Sequence, residues 1–122
     1  MMNKEKYEKC EEVFGSLGRS VLEKVETLSP RIVNLVHDYF ANNLYADNTL
    51  DPKTRELVVT AVIATLGGMP KPLTVHVKSA LAAGCSQEEI VAVLETVASY
   101  AGMPKAISGL LTAKEVFEEV KK

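Results

Sequence analysis

The chain has 122 residues, 47% of them hydrophobic and 25% charged, with a formal net charge of −2. This is the size of one ordinary domain and the balance of a soluble globular protein. The absence of a basic cluster argues against a nucleic-acid partner, and the longest uncharged run, Leu57 to Pro70, is too short for a bilayer span of about 20 residues.

Read in chain order, every strong signal is helical. The charged opening "MMNKEKYEKCEE" is neither a signal peptide nor a transit peptide, so a cytoplasmic location is expected. Residues 3–14 carry Tyr7, Cys10, Val13 and Phe14 among charges, as an amphipathic helix does. Gly15 and Gly18 interrupt it, and Ser20–Thr27 forms a short second helix. Ser29-Pro30 is a cap followed by proline at the first helical position. It opens "RIVNLVHDYFANNL", whose apolar face is Ile32, Leu35, Val36, Tyr39 and Phe40. His37 reads as an ordinary residue of that helix, because neighbouring side chains diverge and Asp38 points elsewhere.

Asp51-Pro52 repeats the cap and starts "KTRELVVTAVIATL". From Leu57 onward this helix is apolar nearly all round, which predicts a central helix or one between subunits. Gly67-Gly68 ends it. Pro70 and Pro72 turn the corner into a helix closed by Gly84. Ser86 and Glu89 form a capping box for the next helix, Gly102 stops that one, and Pro104 opens the last. The expectation is one all-α domain over residues 1–122, with about six or seven helices.

Candidate chemistry gathers around the corner "GGMPKPLTVH". At 100° per residue, Leu73, Val77, Ala80 and Leu81 form one stripe of their helix, and His76 lies at its edge. An edge histidine either bonds a carbonyl or faces a cavity. Glu56 lies in the first turn of the most apolar helix, on the face shared with Thr60 and Ile63. It is either a charge stabilised by the macrodipole or a desolvated carboxylate able to exchange protons with a histidine. Tyr100 is read as a packing ring with a wet hydroxyl. The two cysteines, Cys10 and Cys85, are far apart and read as free thiols. Two histidines without H-x-x-x-H spacing make no metal site, and neither a phosphate loop nor a nucleophile elbow is present. No cofactor is expected.

The order and spacing of "LDPKTRE", His76 in an H-x(7)-G segment, "S-x-E-E-I" and "YAGMP" resemble the carboxymuconolactone decarboxylase family, which includes the AhpD-like alkylhydroperoxidases. The resemblance covers about residues 30–118, leaving residues 1–29 as an N-terminal helical extension. It implies an AhpD-like helical fold assembled into trimers or hexamers, with Glu56 and His76 as the catalytic residues. The AhpD-like branch places a C-x-x-C seven and four residues before the histidine, where this chain has Met69 and Pro72. Dithiol peroxidase chemistry is therefore not expected at that site. The decarboxylase branch lacks the cysteines. It implies cofactor-free decarboxylation of a small carboxylated lactone, a lyase reaction, with Arg55 or Tyr100 contacting the substrate. Two alternatives are a peroxiredoxin-type thiol reductase using Cys85, alone or with Cys10, and a non-catalytic oligomer that binds a small ligand.

Overall fold

A computed structural model describes residues 4–120. Among them are six α-helices and one π-helical segment, with no strand. The chain falls into two compact units, Met1–Leu50 and Asp51–Lys122.

In the first unit, α1 runs from Lys4 to Glu26. The expected start at Asn3 lies outside the described residues. Only one of the two expected interruptions occurs. Gly15 adopts φ 77° and ψ 176°, a conformation that L side chains avoid, and breaks the helical geometry. Gly18 stays helical and is buried. Tyr7 and Cys10 pack with Val33, and Phe14, Leu22 and Val25 close around them. Helix α2 (Pro30–Leu35) is capped by Ser29, whose hydroxyl accepts from the Ile32 amide at 3.3 Å.

The chain then widens into a π-helical segment, Val36–Leu44, which ends with the Tyr45 amide donating to the Phe40 carbonyl at 2.8 Å. The buried face differs from the expected one. Val33, His37 and Ala41 point inward, whereas Ile32, Leu35, Tyr39 and Phe40 of the expected stripe are exposed. In α2 it is the packing of Val33 with Tyr7 and Cys10 that selects this face, and the π-helical segment continues it through His37 and Ala41. The same geometry corrects the reading of His37. It is buried, and its Nδ1 lies 2.6 Å from Asp38 Oδ1, because a wider turn rotates successive side chains less.

The second unit contains α3 (Pro52–Leu66), α4 (Pro70–Ala82), α5 (Gln87–Ala101) and α6 (Met103–Val120). The expected caps form. Asp51 accepts from the Thr54 amide at 2.7 Å, and Ser86 and Glu89 exchange capping-box bonds of 2.9 and 3.0 Å. Val77, Ala80, Ile90, Leu94, Ala113 and Val116 make a core between α4, α5 and α6. Gly109 lets α6 approach closely, since a methyl group there would meet Leu94 Cδ2 at 2.9 Å.

Helix α3 sits in this unit with an unusual polarity. Its buried positions are Glu56, Thr60 and Ala64, whereas Val58, Val62 and Leu66 are exposed. On α6, Met103, Ile107 and Leu111 are also exposed at four-residue spacing. The uniformly apolar sequence of α3 thus separates into a small or polar inner stripe and a bulky outer one.

Candidate functional site

Three residues connect α3 to α4, so the two helices run back along each other. That hairpin brings Glu56 and His76 together across a sequence separation of 20 residues. His76 Nδ1 lies 3.0 Å from Glu56 Oε2. The side chains are 14% and 5% exposed, so the pair is largely removed from water. A carboxylate in such a place is stable only while paired, and removing the partner of a buried ion costs about 3–5 kcal/mol. With Glu56 ionised, Nδ1–H donates to Oε2. The ring orientation is thereby set, and proton exchange with a third group is directed to Nε2.

Two hydroxyls flank the pair on the same helices. Thr60 is one turn beyond Glu56 on α3 and wholly buried. Ser79 follows His76 by three residues on α4. Thr60 Oγ1 and Ser79 Oγ are buried and have no hydrogen-bond partner among the described residues. An unsatisfied buried hydroxyl costs about 1–3 kcal/mol, so each marks a place where the structure tolerates a loss.

The remaining candidates are arranged differently. Arg55 adjoins Glu56 in sequence and is half-buried. Tyr100 is 92% exposed, so it is not the packing ring expected from its helix face. It also stands at the far end of α5 from the Lys53–Glu89 ion pair of 3.0 Å. The eleven helical steps from Glu89 to Tyr100 span about 16 Å. Cys85 is buried, and its thiol donates to the Lys53 carbonyl at 3.5 Å. Burial raises the Cys85 pKa, with the Glu89 carboxylate adding to it, and burial also raises that of Cys10. Neither environment favours a thiolate.

A groove of about 500 Å³ opens at the corner between α3 and α4. Ile63, Ala64, Met69, Leu73, Pro104 and Lys105 are among its walls. Met69 therefore lines this groove, at a position where a dithiol enzyme would carry a cysteine. Among the described residues, no group of three or more His, Cys, Asp and Glu side chains is placed to hold a metal ion. No described helix is long and apolar enough to cross a membrane.

The sequence pattern of the carboxymuconolactone decarboxylase family matches residues 30–115. The chain belongs to that family. The family match includes both members of the ion pair and the whole groove corner. A relative in Paracoccus denitrificans, an uncharacterized 15.0 kDa protein of the nqo9-nqo10 intergenic region, is 28% identical over 99 residues. The alignment covers 80% of this chain and 74% of that protein.

Membership in the carboxymuconolactone decarboxylase family fits the helical architecture and leaves the reaction to be argued from the site. Two residues, Thr60 one turn from Glu56 and Lys105 on the groove wall, escaped the sequence reading as site candidates. Thr60 carried a usable signal, since it shares the Glu56 face one turn on. Lys105 carried none, because its approach to the corner is a tertiary contact between α6 and Gly67.

Proposed function

We propose that the protein is a cofactor-free decarboxylase of a small carboxylated lactone, with His76 as acid/base and Glu56 as its orienting partner. The observation that carries this reading is the buried 3.0 Å contact between Glu56 and His76, in a site with methionine and proline at the positions of a redox cysteine pair. For γ-carboxymuconolactone, the bond between the ring carbon and its carboxylate breaks and CO₂ departs. The electron pair moves into the unsaturated lactone as a dienolate. A proton from His76 Nε2 then reaches carbon, giving the enol-lactone of β-ketoadipate, and the imidazole takes up a proton again from solvent. A water-poor pocket disfavours the charged carboxylate and favours the spread-out charge that replaces it.

The exposed apolar stripes on α3 and α6 support a homo-oligomer, because bulky aliphatic residues at four-residue spacing are the material of helix–helix interfaces. The thiol-reductase alternative is weaker, since burial raises the pKa of both cysteines.

The test is turnover of γ-carboxymuconolactone by wild type and His76→Gln. The glutamine amide retains a donor for Glu56, so the variant is expected to fold and assemble like wild type. Its rate should fall about 10²–10⁴-fold, the usual contribution of a general acid. Undiminished turnover would remove His76 from the chemistry, and no turnover by wild type would remove this substrate.

A further inference from the structure

The N-terminal unit holds a second histidine–carboxylate pair, which the decarboxylation above does not use. His37 lies on the π-helical segment, and its side chain is only 9% exposed. Its Nδ1 is 2.6 Å from Asp38 Oδ1. The bond from His37, aided by Lys6 Nζ at 3.9 Å, holds the Asp38 carboxyl below its ordinary range. Asp38 is therefore ionised at neutral pH, and Nδ1–H donates to it. When the ring is neutral, Nε2 is left as an acceptor, and among the described residues it has no hydrogen-bond partner. It is also not one of the fully enclosed polar atoms that lack a partner, so it keeps an opening to solvent.

The opening that His37 lines is a polar pocket of about 430 Å³ between α1 and the π-helical segment. Asn42 shares the wall with His37. In an α-helix Asn42 would stand about 140° round from His37. The π turn closes its bonds over five residues and brings both to one side, as π turns often do at functional sites. Across α1, Glu5, Glu8 and Glu12 line the pocket at i, i+3 and i+7, so they share one helix face. The two lysines of the pocket are committed elsewhere. Lys6 faces Asp38, and Lys9 pairs with Glu12 at 3.5 Å. Glu8 reaches only the exposed Lys4, at 4.0 Å, and Glu5 has no ion-pair partner among the described residues. An imidazole lone pair and two carboxylates thus face the same space, and all are acceptors. Among the described residues they make no group fit to hold a metal ion. An ammonium ion is their complement, because it has three donors and no acceptor.

We propose that this pocket is a second binding site, which takes a small organic amine as its ammonium ion, donating to His37 Nε2 and to the Glu5 and Glu8 carboxylates. Asp38 is the positioning residue, since it keeps the ring proton on Nδ1 and the Nε2 lone pair towards the ligand. Charge-assisted bonds to carboxylates select the ammonium over an uncharged hydroxyl of the same reach. The site lies wholly in the N-terminal unit and does not depend on the decarboxylase reading of Glu56 and His76.

The test titrates the full chain by calorimetry with 1,4-diaminobutane and with 1,4-butanediol, its uncharged mimic. Low salt and pH 8 are used, where an alkyl ammonium keeps its charge and is least screened. Long-range 1H–15N spectra follow the His37 ring in parallel. Wild type should bind the diamine at a single site with a shift of the His37 Nε2 resonance, and bind the diol at least about tenfold more weakly. The double variant Glu5→Gln/Glu8→Gln should raise the diamine Kd about tenfold. Both glutamates are exposed, so that protein should melt like wild type. His37→Phe should raise Kd by a similar factor, and if it fails to fold, the double variant decides alone. Three results would each overturn the proposal: no saturable diamine binding, a diol bound as tightly, or a double variant that matches wild type. Heat of binding with an unmoved Nε2 resonance would overturn it too. So would a shift of Nε2 by zinc chloride but not by the diamine, which would make the ligand a metal.

Discussion

Replacing Glu56 by glutamine should have opposite effects on stability in two backgrounds. In wild type, Glu56→Gln keeps the side-chain volume and an acceptor for His76 Nδ1–H but removes the charge that strengthens the bond. A charge-assisted bond is about twice as strong as a neutral one, so the expected loss is about 1–2 kcal/mol. His76→Ala leaves a carboxylate that is only 5% exposed without the partner seen at 3.0 Å. That should cost about 3–5 kcal/mol, a large part of the 5–15 kcal/mol by which domains are stable. In the His76→Ala background the charge itself is then the liability. Adding Glu56→Gln should recover about 1–2 kcal/mol rather than lose it. Urea denaturation of the four proteins, followed by circular dichroism, measures the cycle. The coupling should exceed about 2 kcal/mol. Simple additivity within about 0.5 kcal/mol would refute the argument that the pair is desolvated and mutually dependent.

Other outcomes follow from burial and surface pattern. Cys10 and Cys85 should react slowly with a thiol reagent at neutral pH and fully once the protein is unfolded, because burial raises both thiol pKa values. Rapid native-state labelling would revive thiol chemistry. The Tyr7 hydroxyl should titrate late, since burial, then the Glu26 carboxylate, pushes its pKa up to about 12. The folded pKa is raised above the unfolded value near 10, so the stabilisation is present below about pH 10 and is lost as pH rises towards 12. Ultraviolet titration should show one of the four tyrosines ionising in that upper window, and four ordinary tyrosines would contradict it. Val62→Asp, on the exposed stripe of α3, should lower the native mass measured by light scattering without lowering helicity. An unchanged mass would remove that stripe from the proposed interface.

Much of this architecture was legible in residue chemistry that acts over a few positions. Ser29, Asp51 and the Ser86/Glu89 box cap their helices through bonds three residues away, and Gly67, Gly84 and Gly102 end helices with positive φ. These interactions are closed within one turn, so no tertiary knowledge is needed to read them. The partnership of Glu56 with His76 was accessible only through the family resemblance, since nothing local ties residues 20 positions apart. Where the local rules misled, the cause was a choice between faces. The π-helical turn that buries His37 against the expected stripe has no marker in "VHDYFANNL". The apolar sequence of α3 could not say which side turns inward, and packing turned in Glu56, Thr60 and Ala64.

The caps at Ser29, Asp51 and Ser86/Glu89 and the missing cysteine pair at Met69 and Pro72 were determined by sequence alone, because each depends on a residue's own geometry or functional group. The tertiary structure alone decided that Glu56 and His76 share a water-poor site, that Tyr100 stands apart in solvent, and that Thr60 lies buried one turn from Glu56 while Lys105 lines the groove. Those relations arise from the register of α3 against α4 and of α6 against the corner. Register is set by summed packing across helices, which no single stretch of the chain encodes.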